Sequence, residues 1–164
     1  MDYLKVYNEW LNDKSYDEET RNELMSIKDN DEEIKDRFYK SLEFGTAGLR
    51  GKIGAGTNRM NKYNIMKTTQ ALADTIKNYG DEALKRGVSI SYDVRKFSKE
   101  FAEISANVLA SNGIKVYLSD AIRPTPMLSY SIRKFNCISG IMITASHNPK
   151  EYNGYKAYWE EGSQ

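Results

Sequence analysis

Residues 88–120 read VSISYDVRKFSKEFAEISANVLASNGIKVYLSD. VSISYDV is a short β-branched and aromatic run. The segment that follows, opened by Ser98 as the expected N-cap, repeats apolar residues at helical spacing through Phe101, Ile104, Val108 and Leu109 until Gly113 closes it. IKVYLSD is a second strand. Downstream, RPTPMLSYSIRKFN predicts a helix with Thr125 as cap and Pro126 at its first position, and CISGIMITA predicts a third strand. Strands alternating with helices of this length mean parallel β-α-β units joined by right-handed crossovers. The fold class is α/β.

Upstream, Asn61 opens an amphipathic helix running towards Tyr79 with Ile65, Leu72, Ile76 and Tyr79 on one side, and DEALKRG continues or restarts it. The first forty or so residues are charged and periodic, with Asp17 and Asp31 where N-caps belong and Leu24, Ile27, Ile34, Phe38 and Leu42 as one buried stripe. The expected architecture is therefore a three-layer domain over residues 43–164, with a mixed, mostly parallel sheet between helices, preceded by an N-terminal helical extension over residues 1–42.

Bulk properties narrow the function. The chain has 164 residues, and its 24 Lys and Arg against 23 Asp and Glu leave a net charge of +1. No global field favours a nucleic acid or a membrane surface, so neither is expected as a partner. No apolar run approaches the roughly 18 residues of a membrane span, nothing resembles a signal peptide, and Cys137 is the only cysteine, so a cytoplasmic protein is expected.

Two stretches carry chemistry. FGTAGLRGKIGAGTNRMN, residues 44–61, has five glycines in eighteen positions together with Arg50 and Arg59. Glycines admit an anion close to the backbone and arginine forks pair with phosphate oxygens, so it looks like a phosphate-binding loop, although it is neither a Walker loop nor a GxGxxG turn. A glycine-rich hairpin between two strands accounts for the same composition.

The second stretch, MITASHNPKEYNGYK, residues 142–156, holds the single histidine directly after Ser146, past the end of an almost wholly apolar strand. In open α/β sheets ligands bind beyond the carboxyl ends of the strands, so the loops carrying Asp93, Arg95, Arg123 and Ser146 are expected to converge on one rim. A Ser-His hydrolase is disfavoured. Thr144 and Asn148 stand where a nucleophile elbow has glycines, and His147 is expected to diverge from Ser146 as extended neighbours do. A phosphoryl carrier asks instead for cationic and amide donors, a metal and an acid or base nearby, and Arg50, His147 and Lys156 supply part of this.

In FGTAGLRG (44–51), GTNRMN (56–61), SYDVRKFS (91–98), RPTPML (123–128) and TASHNPKEYNGYKAYW (144–159), the sequence resembles the α-D-phosphohexomutase superfamily, in particular its phosphoglucomutase and phosphopentomutase branch. The resemblance implies that Ser146 is a phosphoserine that passes its phosphoryl group to a sugar monophosphate through a sugar bisphosphate. It implies further that His147 flanks that group, that Lys156 is the general acid and base, and that Arg50 contacts the phosphoserine region. Asp93 and Arg95 would hold the rim. Mg2+ would meet Ser146 through its phosphate, with its remaining ligands in a second domain, and a glucose 1,6-bisphosphate type of activator would charge the serine.

Family enzymes have four domains, so this chain would be the first and inactive without the other three. The other reading is a stand-alone, non-catalytic domain that binds a phosphosugar or another partner. At YWEEGSQ the sheet is expected to be left with an incomplete edge, which would favour self-association with another copy.

Overall fold

The computed structural model of the protein describes residues 2–45 and 48–164. Along the chain run α1 (Tyr3–Asn12), α2 (Glu18–Ser26), α3 (Asp31–Phe38), β1 (Leu49–Lys52), α4 (Lys62–Lys77) and α5 (Asp81–Arg86). There follow β2 (Val88–Tyr92), α6 (Ser98–Ser111), β3 (Val116–Leu118), α7 (Thr125–Lys134), β4 (Ser139–Ile143) and β5 (Tyr152–Trp159). The sheet order is β1-β5-β4-β2-β3. It is parallel through β3, β2 and β4, and antiparallel where β5 meets β4 and β1. The α/β class and the mixed sheet between helices follow the expectation.

Every residue of β2 and β4 is buried, as a parallel centre covered on both faces requires. On one face, Ile90, Ile141, Ile143 and Tyr155 pack with Ile65 and Ile76 of α4 and with Phe101 and Leu109 of α6. On the other, Met142 and Tyr158 pack with Leu128 and Ile132 of α7. Burying an aliphatic side chain of this size contributes about 2 kcal/mol, so these two clusters hold the sheet in register and fix where each strand ends.

β5 is the largest departure from expectation. It returns antiparallel beside β4, with Met142 opposite Lys156 and Ile143 opposite Tyr155, and its other edge pairs with β1. The exposed edge expected at the end of the chain is not there, because this last strand lies inside the sheet; the edge strands are β1 and β3. Several boundaries also shift. Asn30, not Asp31, caps α3, its side chain accepting from the Glu33 amide at 3.1 Å, and Asp31 instead accepts from the Tyr3 hydroxyl at 3.0 Å. Ser98 and Thr125 are the first residues of α6 and α7, with Phe97 and Pro124 at the cap positions. Tyr79 lies beyond α4 and is exposed, and α5 restarts after it.

The helices before β1 bury Tyr7, Trp10, Leu24, Ile34 and Phe38, and that cluster closes on Ala55 and Tyr63 of the segment that follows. Asp17 caps α2 and also holds Lys62 at 2.6 Å and the Tyr63 hydroxyl. Burial alone would raise the Asp17 carboxyl, but the hydrogen bonds from Lys62, Tyr63 and Thr20 together outweigh it and hold the group well below the usual carboxylate range.

Candidate active site

The glycine-rich stretch resolves into two parts with different fates. Residues 53–60 form a tight loop in which the Met60 amide donates to the Lys52 carbonyl at 2.8 Å and the Gly54 amide to the Met60 carbonyl at 3.1 Å. Its glycines serve packing. Gly54 and Gly56 have φ of 151° and 132°, and a Cβ on Gly56 would stand 2.8 Å from the Arg37 carbonyl. An anion does rest on this loop, but it is the protein's own: the Glu23 carboxylate accepts from the Ala55 amide at 3.2 Å and is paired with Arg37.

Arg59, only 3% exposed, is spent on Asp36 at 2.6 Å and Glu33 at 3.4 Å. The hydrogen bond from Arg37 holds the Glu33 carboxyl below its ordinary range, against burial and with help from the charges of Arg37 and Arg59. Residues 53–60 are therefore a docking loop for α2 and α3, and the phosphate-loop expectation fails for that part. Of the FGTAGLRG motif, Thr46 and Ala47 lie outside the described residues.

Arg50 behaves differently. It stands in β1 opposite Gly154, and its Nη1 donates to Asn148 Oδ1 at 2.8 Å, which brings its guanidinium to the turn that carries Ser146. In that turn the Ser146 amide donates to Thr144 Oγ1 at 3.0 Å, and the Asn148 amide donates to the Ala145 carbonyl at 3.1 Å. Ser146 has φ +56°, a left-handed conformation that costs a non-glycine residue about 1 kcal/mol or more. The hydroxyl is thereby presented at the surface rather than continuing the line of β4.

The same conformation overturns the expected divergence of the neighbouring side chains. Ser146 Oγ lies 3.3 Å from His147 Nδ1, because the segment is turned and not extended. Hydrolase geometry still lacks its third member, since among the described residues no carboxylate meets the exposed His147 ring.

Lys156 is half-buried in β5. It alternates with the fully buried Tyr155, so its side chain leaves the sheet on the opposite face, the face on which Arg50 lies through its register with Gly154. The turn thus gathers Ser146, His147 and Arg50, with Lys156 on the same face two residues along β5 from Gly154.

The β2 loop joins them. Arg95 bonds to the turn's backbone, and a hollow of about 750 Å3 opens beside it between Asp93, Val94, Lys96, Ser146 and Lys150. Arg123 does not join them; it pairs with Asp120 at 2.8 Å and borders a separate hollow with Ser89, Ser91 and Ser119. Sequence reasoning missed Asn148, which links Arg50 to the turn, and the only signal for it was its place two residues after the serine. Among the described residues no three His, Cys, Asp or Glu side chains gather as a metal site, so the donor set of this chain does not fit a cation by itself. No described helix is long and apolar enough to cross a membrane.

Comparison with known proteins adds the family. Residues 41–164 match the family model of phosphoglucomutase/phosphomannomutase, alpha/beta/alpha domain I. A phosphoglucomutase of Staphylococcus aureus strain bovine RF122 / ET3-1 is 48% identical over 132 residues, covering 80% of this chain and 23% of the relative. That of strain USA300 is 48% identical over 134 residues, covering 82% and 24%. The chain thus spans about a quarter of the length of these relatives. A crystal structure of a Thermus thermophilus protein assigned as a phosphomannomutase superimposes with a TM-score of 0.67 at 31% identity, covering 75% of this chain and 26% of that one. A Burkholderia thailandensis protein, at 23% identity and a TM-score of 0.61 over 72% of this chain and 26% of its own, shares the fold.

Proposed function

Because the chain belongs to the phosphoglucomutase/phosphomannomutase family, we propose that residues 43–164 are the phosphoryl-carrying domain of a phosphosugar mutase and that residues 1–42 are a helical extension to it. Ser146 carries the transferable group. Its Oγ–P bond breaks as a hydroxyl of a sugar monophosphate attacks phosphorus, and Lys156 takes the hydroxyl proton and passes it to the departing Ser146 Oγ. The resulting sugar bisphosphate turns around, the Ser146 hydroxyl attacks its other phosphorus while Lys156 takes the serine proton, and Lys156 gives that proton to the sugar oxygen that leaves. A bisphosphate of the glucose 1,6-bisphosphate type charges the serine at the outset. The substrates are hexose phosphates such as glucose 1-phosphate, and related mannose or pentose phosphates.

One observation carries this reading: an exposed serine hydroxyl on a left-handed turn at the carboxyl end of a buried strand, with the Arg50 guanidinium bound to the same turn through Asn148. Arg50 neutralises charge on the carried phosphate and His147 flanks it. Mg2+ is expected in the complete enzyme, where Ser146 would meet it through its phosphate and the remaining ligands would come from outside this chain, since the described residues do not form its cage. Sugar recognition and turnover require groups beyond the quarter of the relatives that this chain spans, so the chain alone is expected to be charged without turning over.

The test is incubation with glucose 1,6-bisphosphate and Mg2+, followed by intact mass and peptide mapping. One added phosphoryl group mapped to Ser146 and absent from Ser146→Ala is the expected result. A chain that stays unmodified, or a label that survives Ser146→Ala, would overturn the assignment and leave a binding domain without transfer chemistry.

A further inference from the structure

Arg95 is a largely buried side chain whose donors all go to its own protein. Its Nη1 donates to the carbonyls of Pro149 at 2.9 Å and Tyr152 at 3.0 Å, and its Nη2 donates to those of Ser146 at 2.9 Å and Asn148 at 2.7 Å. The remaining nitrogen, Nε, lies 3.5 Å from Asp93 Oδ2. Asp93 Oδ1 accepts from the Arg95 amide at 2.9 Å and from Ser98 Oγ at 2.7 Å, and Asn153 Nδ2 donates to Ser98 Oγ and to the Lys96 carbonyl, each at 3.0 Å. The β2 loop is thus latched to β5, and the guanidinium has no donor left for a ligand.

A trans peptide is planar, so the carbonyl of one residue and the N–H of the next point in opposite directions. Drawing the Ser146 and Pro149 carbonyls onto the guanidinium turns the N–H groups of His147 and Lys150 away from it. Neither N–H donates to another group among the described residues. The third carbonyl, that of Asn148, precedes Pro149, which has no N–H to present. Left unheld, these oxygens could turn their negative ends towards a phosphate on Ser146 and repel it.

We infer that Arg95 is the positioning residue of the phosphoryl site: by holding the Ser146, Asn148 and Pro149 carbonyls of the turn, together with that of Tyr152 at the start of β5, it leaves the amide edge to the group on Ser146. The inference rests on Ser146 as the carrier but is tested without that chemistry. Phosphoserine is installed at position 146 by genetically encoded incorporation, and its second ionisation is followed by phosphorus NMR with Arg95, Arg95→Lys and Arg95→Met. Arg50, His147, Lys96, Lys150 and Glu151 stay constant throughout.

With Arg95, the phosphate should lose its second proton at a pH lower by about half a unit or more than with Met, since donors to the dianion favour it. Arg95→Lys should not restore the shift, because a point charge cannot span a forked set of carbonyls. Titration of the Lys variant at the wild-type pH would overturn the inference in favour of charge alone, and coincident curves for all three would overturn it outright. If Arg95→Met fails to fold, seen as loss of exchange protection in α4 and α6, the Lys variant against wild type decides. Failure of sugar bisphosphate to label the wild-type chain would instead count against the carrier assignment and leave this result standing.

Discussion

Residues 53–60 and residues 144–151 are both tight loops served by arginines, and they end in different electrostatic states. In the first, Arg37 and Arg59 meet the carboxylates of Glu23, Glu33 and Asp36, and Glu23 also takes the Ala55 amide. Every feature that suggested a phosphate has been filled from within. In the second, the four Nη donors of Arg95 go to backbone carbonyls and only its Nε faces a carboxylate, that of Asp93 at 3.5 Å, while Arg50 faces the neutral Asn148 side chain, so less of the positive charge is cancelled. A loop's capacity for an anion depends less on its glycines and arginines than on whether the chain's own carboxylates have already occupied them.

The sharpest way to break this contrast is Gly56→Ala. Its Cβ would meet the Arg37 carbonyl at 2.8 Å with the backbone at φ 132°, which should cost about 3 kcal/mol in a denaturant melt. Phosphoryl labelling of whatever remains folded should be unchanged. Equal loss of labelling and stability would mean that the two loops are one unit.

The paired arginines come next. Arg59→Met leaves Asp36 and Glu33 without their buried partner, and because both acids keep solvent access the cost should be about 1–2 kcal/mol. Arg50→Met should move stability by about 0.5 kcal/mol or less, yet slow the labelling of Ser146 by about a hundredfold. The contrast fails if the two variants have the same profile.

Ser146→Gly removes the left-handed penalty and should stabilise the chain by about 1 kcal/mol in the same melt while abolishing the label. A destabilised glycine variant would mean that the serine is not strained there.

Acid should produce the smallest effect, and on one loop only. Asp17, which ties α2 to α4 beside residues 53–60, has a carboxyl held below its unfolded value of about 3.9. Its contribution is therefore complete above about pH 5 and is lost as pH falls through 4 towards the lower folded value. Hydrogen exchange at pH 3 against pH 6, corrected for intrinsic rates, should show α2 and residues 53–60 loosening before residues 144–152, whose clamp is mainly a guanidinium on carbonyls.

Much of this was legible in the residues. The run from Val88 to Asp120 implied parallel β-α-β units because periodicity is local, and the apolar run ending at Ala145 placed Ser146 at the rim for the same reason. β5 escaped because Tyr152–Trp159 mixes Asn, Gly and Lys among its aromatics, and because buried and half-buried residues occur on both of its faces, so no clean alternation marks the strand. The orientation of His147 was misjudged because a left-handed serine is not a property of the Ser-His pair but of the turn that holds it.

Sequence by itself determined the order of the elements from α4 to β4, the ends of the buried strands and the presence of a serine hydroxyl past one of them, since each follows from spacing within a dozen or so neighbours. Only the tertiary structure decided which arginine serves the fold and which the turn. Arg50 reaches Asn148 across 98 residues of chain and Arg95 reaches Ser146 across 51. Hydrogen-bond partners at such separations are chosen when the sheet and helices pack, and no local pattern records that choice.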